Sequence, residues 1–328
     1  MRSLIVLSFA VVSMSVCDKL STEMDQTRSE TCGSVVENKA VTKTSTELTT
    51  PWTIRVLYQS SHNSTRFYRS AILISQRHVL TNSNALFVCK DTGCKEWKWV
   101  LDDSPVDTKK CKDNVMEIPK KMRKKMTVYL SVCSDKERCG TDIERSVVAV
   151  YYLGSCELGL APFGMTLLEM SSNVPNDVDY FRPVCVADKT EAKTGDKVEV
   201  HAAGEERVRG SRKYIKSTPT EIVKCGSWRY DQQFCTKYAV CIDEFGGGVV
   251  KKIDGRQTLV GIVEKTDANC SASTVNTIVS VGHYKEKLCE LTGICKESSG
   301  PTDSSGGKIG GFRSIILMTV WWAGFLSQ

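Results

Sequence analysis

Fifteen cysteines against four histidines in 328 residues set the firmest limit on how this chain can fold. Thiols this dense, seldom spaced as CxxC pairs and short of histidine companions, point to disulfides and an oxidising compartment rather than to metal sites. With 41% apolar and 25% charged residues the chain as a whole is globular. Its net charge of +6 is too small for a protein that wraps nucleic acid. No nucleic-acid partner, cofactor or metal ion is expected.

Both ends carry processing signals. Met1-Arg2 is followed by an apolar run from Leu4 to Val16, with small residues at Ser13, Ser15 and Cys17. That run is too short to span a bilayer and has the layout of a secretory signal over 1–17. At the other end come the small residues Ser304-Ser305-Gly306-Gly307, a polar spacer from Lys308 to Ser314, and an apolar tail from Ile315 to Leu326. This order is that of a GPI lipid-anchor signal over 308–328, with Ser304 and Ser305 as the attachment site. A short membrane segment is the other reading. Either way the chain is expected outside the cell or on the outer face of the plasma membrane.

Residues 18–50 are polar, rich in Thr, Ser and Lys, and lack apolar periodicity, so they read as a mobile leader tethered at Cys32. Residues 297–307 read as a Ser/Gly/Pro linker. Between them 51–296 suits one large all-β domain, since such barrels run about 200–250 residues. Strand-like runs rich in β-branched and aromatic residues occur at Trp52 to Tyr58, Ala71 to Ile74, His78 to Thr81, Val147 to Leu153, Lys197 to Ala202 and Thr258 to Val263. Strong helical periodicity is confined mainly to His283 to Leu291. Many short strands with long Cys-bearing loops predict a closed antiparallel barrel or sandwich.

Four segments in order carry a more specific resemblance. Ser70 to Thr81 resembles the strand pair before the catalytic histidine of trypsin-like serine proteases. Arg182-Pro183-Val184-Cys185-Val186 resembles their interdomain segment, Cys241 to Gly247 stands where they have CxGDSGG, and Leu259 to Val263 resembles the strand that follows. The ending Cys289 to Cys295 and the Cys-bearing insert at 89–156 resemble the nematode-type branch of that family. The resemblance implies an all-β fold of two six-stranded antiparallel barrels with a cleft between them, a short C-terminal helix and many disulfides.

Proteolysis on that fold needs a Ser nucleophile, a His base, an Asp that orients the His and two backbone N–H groups for the oxyanion. Carried over position by position, the histidine is Asn84, an amide that cannot accept and return a proton. The aspartate, in Gly164 to Met170, falls on Gly164, with Asp142 or Glu157 reachable by another alignment. The nucleophile is Phe245, whose ring has no lone pair to attack a carbonyl. Asp243 replaces the oxyanion-loop glycine, and Glu244 stands for the acid that pairs with a freshly cut N-terminus. The strand edge that pairs with substrate aligns with Glu264-Lys265-Thr266, and the pocket base with Ala239. His78 reads as a structural strand residue.

The resemblance also implies bridges Cys241–Cys270 and Cys225–Cys235, with Cys32 able to reach Cys185. Cys89, Cys94, Cys111, Cys133, Cys139 and Cys156 are expected to pair within the insert, in an order the sequence leaves open. Asn63 heads a glycosylation sequon. The basic run Lys120 to Lys125 is either a solvated loop or a contact for an anionic glycan. The expected function is that of a secreted or surface-anchored homologue that binds or regulates a protein partner without cutting it; a hydrolase with a displaced active site is the alternative.

Overall fold

The computed structural model describes residues 19–34, 50–61, 64–89, 96–130, 143–157, 160, 164–175, 181–188, 191–206, 212–226, 231–237, 244–265 and 275–296. The sequons and anchor residues Asn63, Ser304 and Ser305, the pair Cys241 and Cys270, and the segments 1–17, 297–307 and 308–328 lie outside the described residues.

The first barrel is built from β1 (Thr53–Gln59), β2 (Arg66–Leu73), β3 (His78–Asn82), β7 (Met126–Leu130), β8 (Ile143–Gly154) and β9 (Gly164–Met170). They run β8-β7-β1-β2-β3-β9, and the ladder from β9 back to β8 closes the ring. A short strand, β6 (Val115–Glu117), adds to the outside of β8. A separate ribbon of β4 (Phe87–Cys89) and β5 (Trp97–Trp99) leads into the insert. β1, β3 and β9 are buried along nearly their whole lengths, and they carry polar side chains inside with the apolar ones: Arg55, His78, Asn82 and Glu169 are all buried.

The second barrel uses β11 (Lys197–Glu206), β12 (Arg212–Val223), β13 (Gln233–Lys237), β14 (Gly248–Ile253), β15 (Arg256–Lys265) and β16 (Val275–Ser280), closed by β15 on β16. The two-residue β10 (Cys185–Val186) pairs in parallel with β15 and carries the crossing segment onto this barrel. The strand-like runs named above thus fall in β1, β2, β3, β8, β11 and β15, and the periodic segment becomes α3 (Lys285–Thr292).

Two helices go beyond the sequence expectation. Lys120–Arg123 forms one turn, α2. More consequential is α1 (Thr22–Thr31), inside the segment 18–50 read as a mobile leader, of which residues 19–34 and 50 are described. Ser21 caps it, accepting from the Met24 N–H, and Glu23 and Asp25 in the first turn suit the positive end of the helix. Its buried face consists of Asp25, Arg28 and Ser29, so no apolar stripe announces it. Leu20 N–H donates to the Thr292 carbonyl, an Arg256 nitrogen donates to Ser29 O, and Gly33 bonds to Pro183 and Gln257. Residues 19–34 form a strap across the second barrel and the end of α3.

Four disulfides have both ends among the described residues: Cys32–Cys185, Cys111–Cys156, Cys225–Cys235 and Cys289–Cys295. Cys89 is also oxidised. The first bridge fastens α1 to the interdomain segment, and the last closes the loop after α3. Several disulfides fit an extracellular or secreted protein. Among the described residues no helix is long and apolar enough to cross a membrane.

Candidate cleft between the barrels

Antiparallel pairing of β3 with β9 places Asn82 opposite Met165, so the end of β3, with Ser83 and Asn84 beyond it, lies beside Gly164 at the start of β9. From the second barrel two segments reach the same place: the turn Glu244 to Gly247 and the last residues of β15. Val263 N–H donates to the Gly247 carbonyl at 2.8 Å, and Gly246 N–H donates to the Val263 carbonyl at 3.0 Å. The two aligned segments are therefore one structural unit.

The turn is docked onto the first barrel. Ser70 N–H donates to the Phe245 carbonyl at 2.9 Å, and Thr81 Oγ1 donates to the Ser70 carbonyl at 2.7 Å. Ser70 Oγ in turn accepts from Ala203 N–H of β11 at 2.9 Å. Gly246, at φ +85°, is the residue that permits this approach: a Cβ there would stand 2.2 Å from both the Ser70 carbonyl oxygen and Thr81 Oγ1. The Phe245 ring is half-buried, packs against the second-barrel core, and has the Arg69 guanidinium 5.9 Å from its centre, at the outer limit of a cation–π contact. Glu244 is buried, and Lys216 Nζ lies 3.4 Å from its carboxylate.

Gly164 is hemmed in by Tyr152 of the neighbouring strand. A Cβ at 164 would fall 2.3 Å from Tyr152 Cε2 and 2.7 Å from the Leu153 carbonyl oxygen. The facing residue across the ladder is another glycine, Gly154, equally crowded by the same ring. The phenol thus occupies the volume that a side chain at 164 would need. Burial, reinforced by the nearby Tyr284 and Glu264, raises the Tyr152 hydroxyl's pKa and keeps it protonated.

Glu264, at the aligned strand edge, is the most unusual group here. A bulge between Val263 and Lys265 drops it out of the β15–β16 ladder. The first barrel supplies its partners instead. Ser83 Oγ donates to one carboxyl oxygen at 3.2 Å, Ser83 N–H reaches the other at 3.4 Å, and Asn84 Nδ2 donates to the Glu264 backbone carbonyl at 2.8 Å. The side chain is fully buried. Burial pushes its carboxyl well above the usual range, with the Ser83 hydrogen bonds opposing. The sequence signal is one acid at the end of the apolar run Leu259 to Val263.

A second polar link joins the barrels at the start of β1. Trp52 Nε1 donates to His201 Nδ1 at 3.0 Å, with the two rings stacked, so the imidazole proton sits on Nε2 and faces Glu199 at 3.0 Å. The His201 contact, aided by Ser217, lowers the Glu199 carboxyl to about 2 against a desolvation that opposes it. His78, read as structural, is buried on β3 opposite Glu169, with Nδ1 2.8 Å from Ser75 Oγ. Ser75 Oγ also accepts the backbone N–H groups of Arg77 and His78, so this hydroxyl closes a tight turn. Asp243 and Ala239 lie outside the described residues.

In the basic run, Arg123 is buried against Glu117 and the Val148 carbonyl, and the Lys121 and Lys125 ammonium groups gather at Asp102. Lys120 and Lys124 remain exposed.

A search of curated proteins finds no match. The sequence model of the nematode trypsin-6-like family matches residues 2–295. With two closed six-stranded barrels joined as described, this chain is a serine protease homologue that belongs to the nematode trypsin-6-like family.

Proposed function

We propose that this serine protease homologue is proteolytically inert and acts by binding. Phe245 carries the reading: at the nucleophile position, a phenyl ring offers no atom that can attack a carbonyl. Two neighbours support it. Asn84 commits its amide to a backbone carbonyl, and Tyr152 fills the space that an acid at 164 would need. Glu244 has Lys216 beside it, a cation from within the chain where an active relative relies on a new N-terminus.

The rival hydrolase with a displaced site draws little support from Ser75 and His78. That pair is buried, and both lone pairs of the hydroxyl accept backbone N–H groups. Treatment of the secreted protein with a fluorophosphonate probe discriminates the two readings. No labelling is expected; stoichiometric labelling abolished by one Ser substitution would overturn the inert reading.

The binding role is that of a decoy, scaffold or regulator of a protein partner, with half-buried Phe245 as one contact. Membrane attachment through the tail at Ser304 or Ser305 is part of the proposal, and release from intact cells by a phospholipase that cuts lipid anchors tests it. An anionic glycan at Lys120 to Lys125 is the weaker element, because three of the run's cations are already engaged within the protein.

A further inference from the structure

The bridges with both ends described differ in how far a thiol can reach them. Cys32, Cys185 and Cys235 are buried, while Cys111, Cys156, Cys225 and Cys289 are half-buried. Cys295 alone among these bridged residues is exposed. The bridge it makes with Cys289 also closes the shortest loop, a sequence separation of 6 against 10, 45 and 153. A short loop restricts the unfolded chain least, and thiol–disulfide exchange requires access to sulfur. Both properties make Cys289–Cys295 the easiest of these bridges to open.

That bridge shapes the turn on which α1 rests. Past the left-handed cap at Gly293, φ +77°, the chain folds back so that Cys295 and Lys296 present their N–H groups to Asp25 Oδ2, at 2.9 and 2.7 Å. The Lys296 carbonyl accepts from Arg28, and the Thr292 carbonyl accepts from Leu20 N–H at 2.8 Å. The contact is close: a Cβ at Gly293 would stand 2.5 Å from the Leu20 carbonyl oxygen. These bonds hold Leu20 to Arg28, whereas the far end of α1 is held at Cys32.

We propose that Cys289–Cys295 is a thiol-exchange site for a dithiol reductant, and that its opening loosens the start of α1 while Cys32–Cys185 keeps the helix tethered. One thiolate of the dithiol attacks Sγ of Cys295, forming a mixed disulfide and releasing Cys289 as a thiolate, which takes up a proton. The second thiolate attacks the dithiol's own bonded sulfur and releases Cys295, which is protonated in turn. The dithiol leaves oxidised as a cyclic disulfide, and the protein gains two electrons and two protons as two thiols. The turn after α3, no longer tied back to Cys289, then gives up its N–H groups on Asp25.

The test treats the full secreted protein with rising dithiothreitol, traps free thiols with iodoacetamide and locates them by mass spectrometry. Cys289 and Cys295 are expected to be half-modified at a dithiothreitol concentration at least about tenfold below that for Cys32 and Cys185, and ahead of the other two bridges. Reduction together with, or after, any of those bridges overturns the exchange site. Hydrogen exchange reads the coupling. With Cys289 and Cys295 modified, amides in 22–28 are expected to exchange at least about tenfold faster, while β1 and β9 keep their protection. Unchanged exchange in 22–28, or loss of protection in the barrels as well, overturns the local loosening. Neither measurement bears on the fluorophosphonate result, so the two readings fall separately.

Discussion

Asp25 and Arg28, one turn apart on α1, form a buried ion pair at 2.8 Å that holds the two ends of the described chain together. The other oxygen of Asp25 accepts the N–H groups of Cys295 and Lys296, at 2.9 and 2.7 Å, and Arg28 Nη2 donates to the Lys296 carbonyl. Each charge is therefore desolvated but fully engaged. Removing one partner strands the other without water. Asp25→Ala is expected to destabilise by about 3–5 kcal/mol in a urea titration, the range for a broken buried pair. A loss below about 1 kcal/mol, typical of a surface pair, would show that the clamp is open in solution.

That clamp also shows why sequence reasoning stopped where it did. The barrels were legible because strands such as β8 and β15 contain β-branched and aromatic apolar runs, Val147 to Leu153 and Thr258 to Val263. Helix α1 buries Asp25, Arg28 and Ser29, and the backbone partners of the first two lie some 270 residues away in sequence, so hydropathy held no trace of it. The same limit applies at the cleft. Asn84, Gly164 and Phe245 were reached through the resemblance, and Asn84 and Gly164 lie at one end of β3 and β9. Tyr152 and Glu264 matter through space, not spacing: one fills a volume next to a glycine, and the other is defined by a bulge.

Glu264 predicts a pH dependence with a definite sign. Its carboxyl is held well above the ordinary range by burial, so the folded state prefers the protonated form that the unfolded chain loses first. Its favourable contribution is complete below the ordinary glutamate range and is lost as pH rises towards its folded pKa, with a slope of about 1.4 kcal/mol per pH unit. Glu264→Gln mimics the neutral acid and abolishes that slope. The variant is expected to match the wild type near pH 4 and exceed it at pH 7.5 in denaturant midpoint. Parallel curves for the two proteins would rule out a neutral, buried acid at 264.

Gly164 tests whether the missing acid can be put back. Gly164→Asp introduces a Cβ only 2.3 Å from Tyr152 Cε2, so either the ring or β9 must move. Overpacking of this kind costs about 1–3 kcal/mol, and a carboxylate buried beside Glu264 adds to it. The single variant is expected to melt earlier than the wild type, and Gly164→Asp combined with Tyr152→Ala to lose less than the sum of the two single changes. Strict additivity in the double-mutant cycle would mean that the ring and position 164 do not compete for space.

The bridge Cys32–Cys185 makes the last prediction, because it fastens α1 to the segment that crosses between the barrels. It closes a loop of 153 residues, and a cross-link over so long a span restricts the unfolded chain strongly. Replacing both cysteines by serine is expected to cost about 2–5 kcal/mol of stability, the usual loss for a native bridge. The strap then rests on its hydrogen bonds, those of Asp25, Arg28 and Ser29 and the backbone bonds of Leu20 and Gly33 among them. Limited proteolysis should accordingly cut the variant within 20–34 well before either barrel is attacked, while the wild type resists in that window. Equal cleavage of both proteins there would show that the helix is held by its polar contacts and that the disulfide is redundant for docking it.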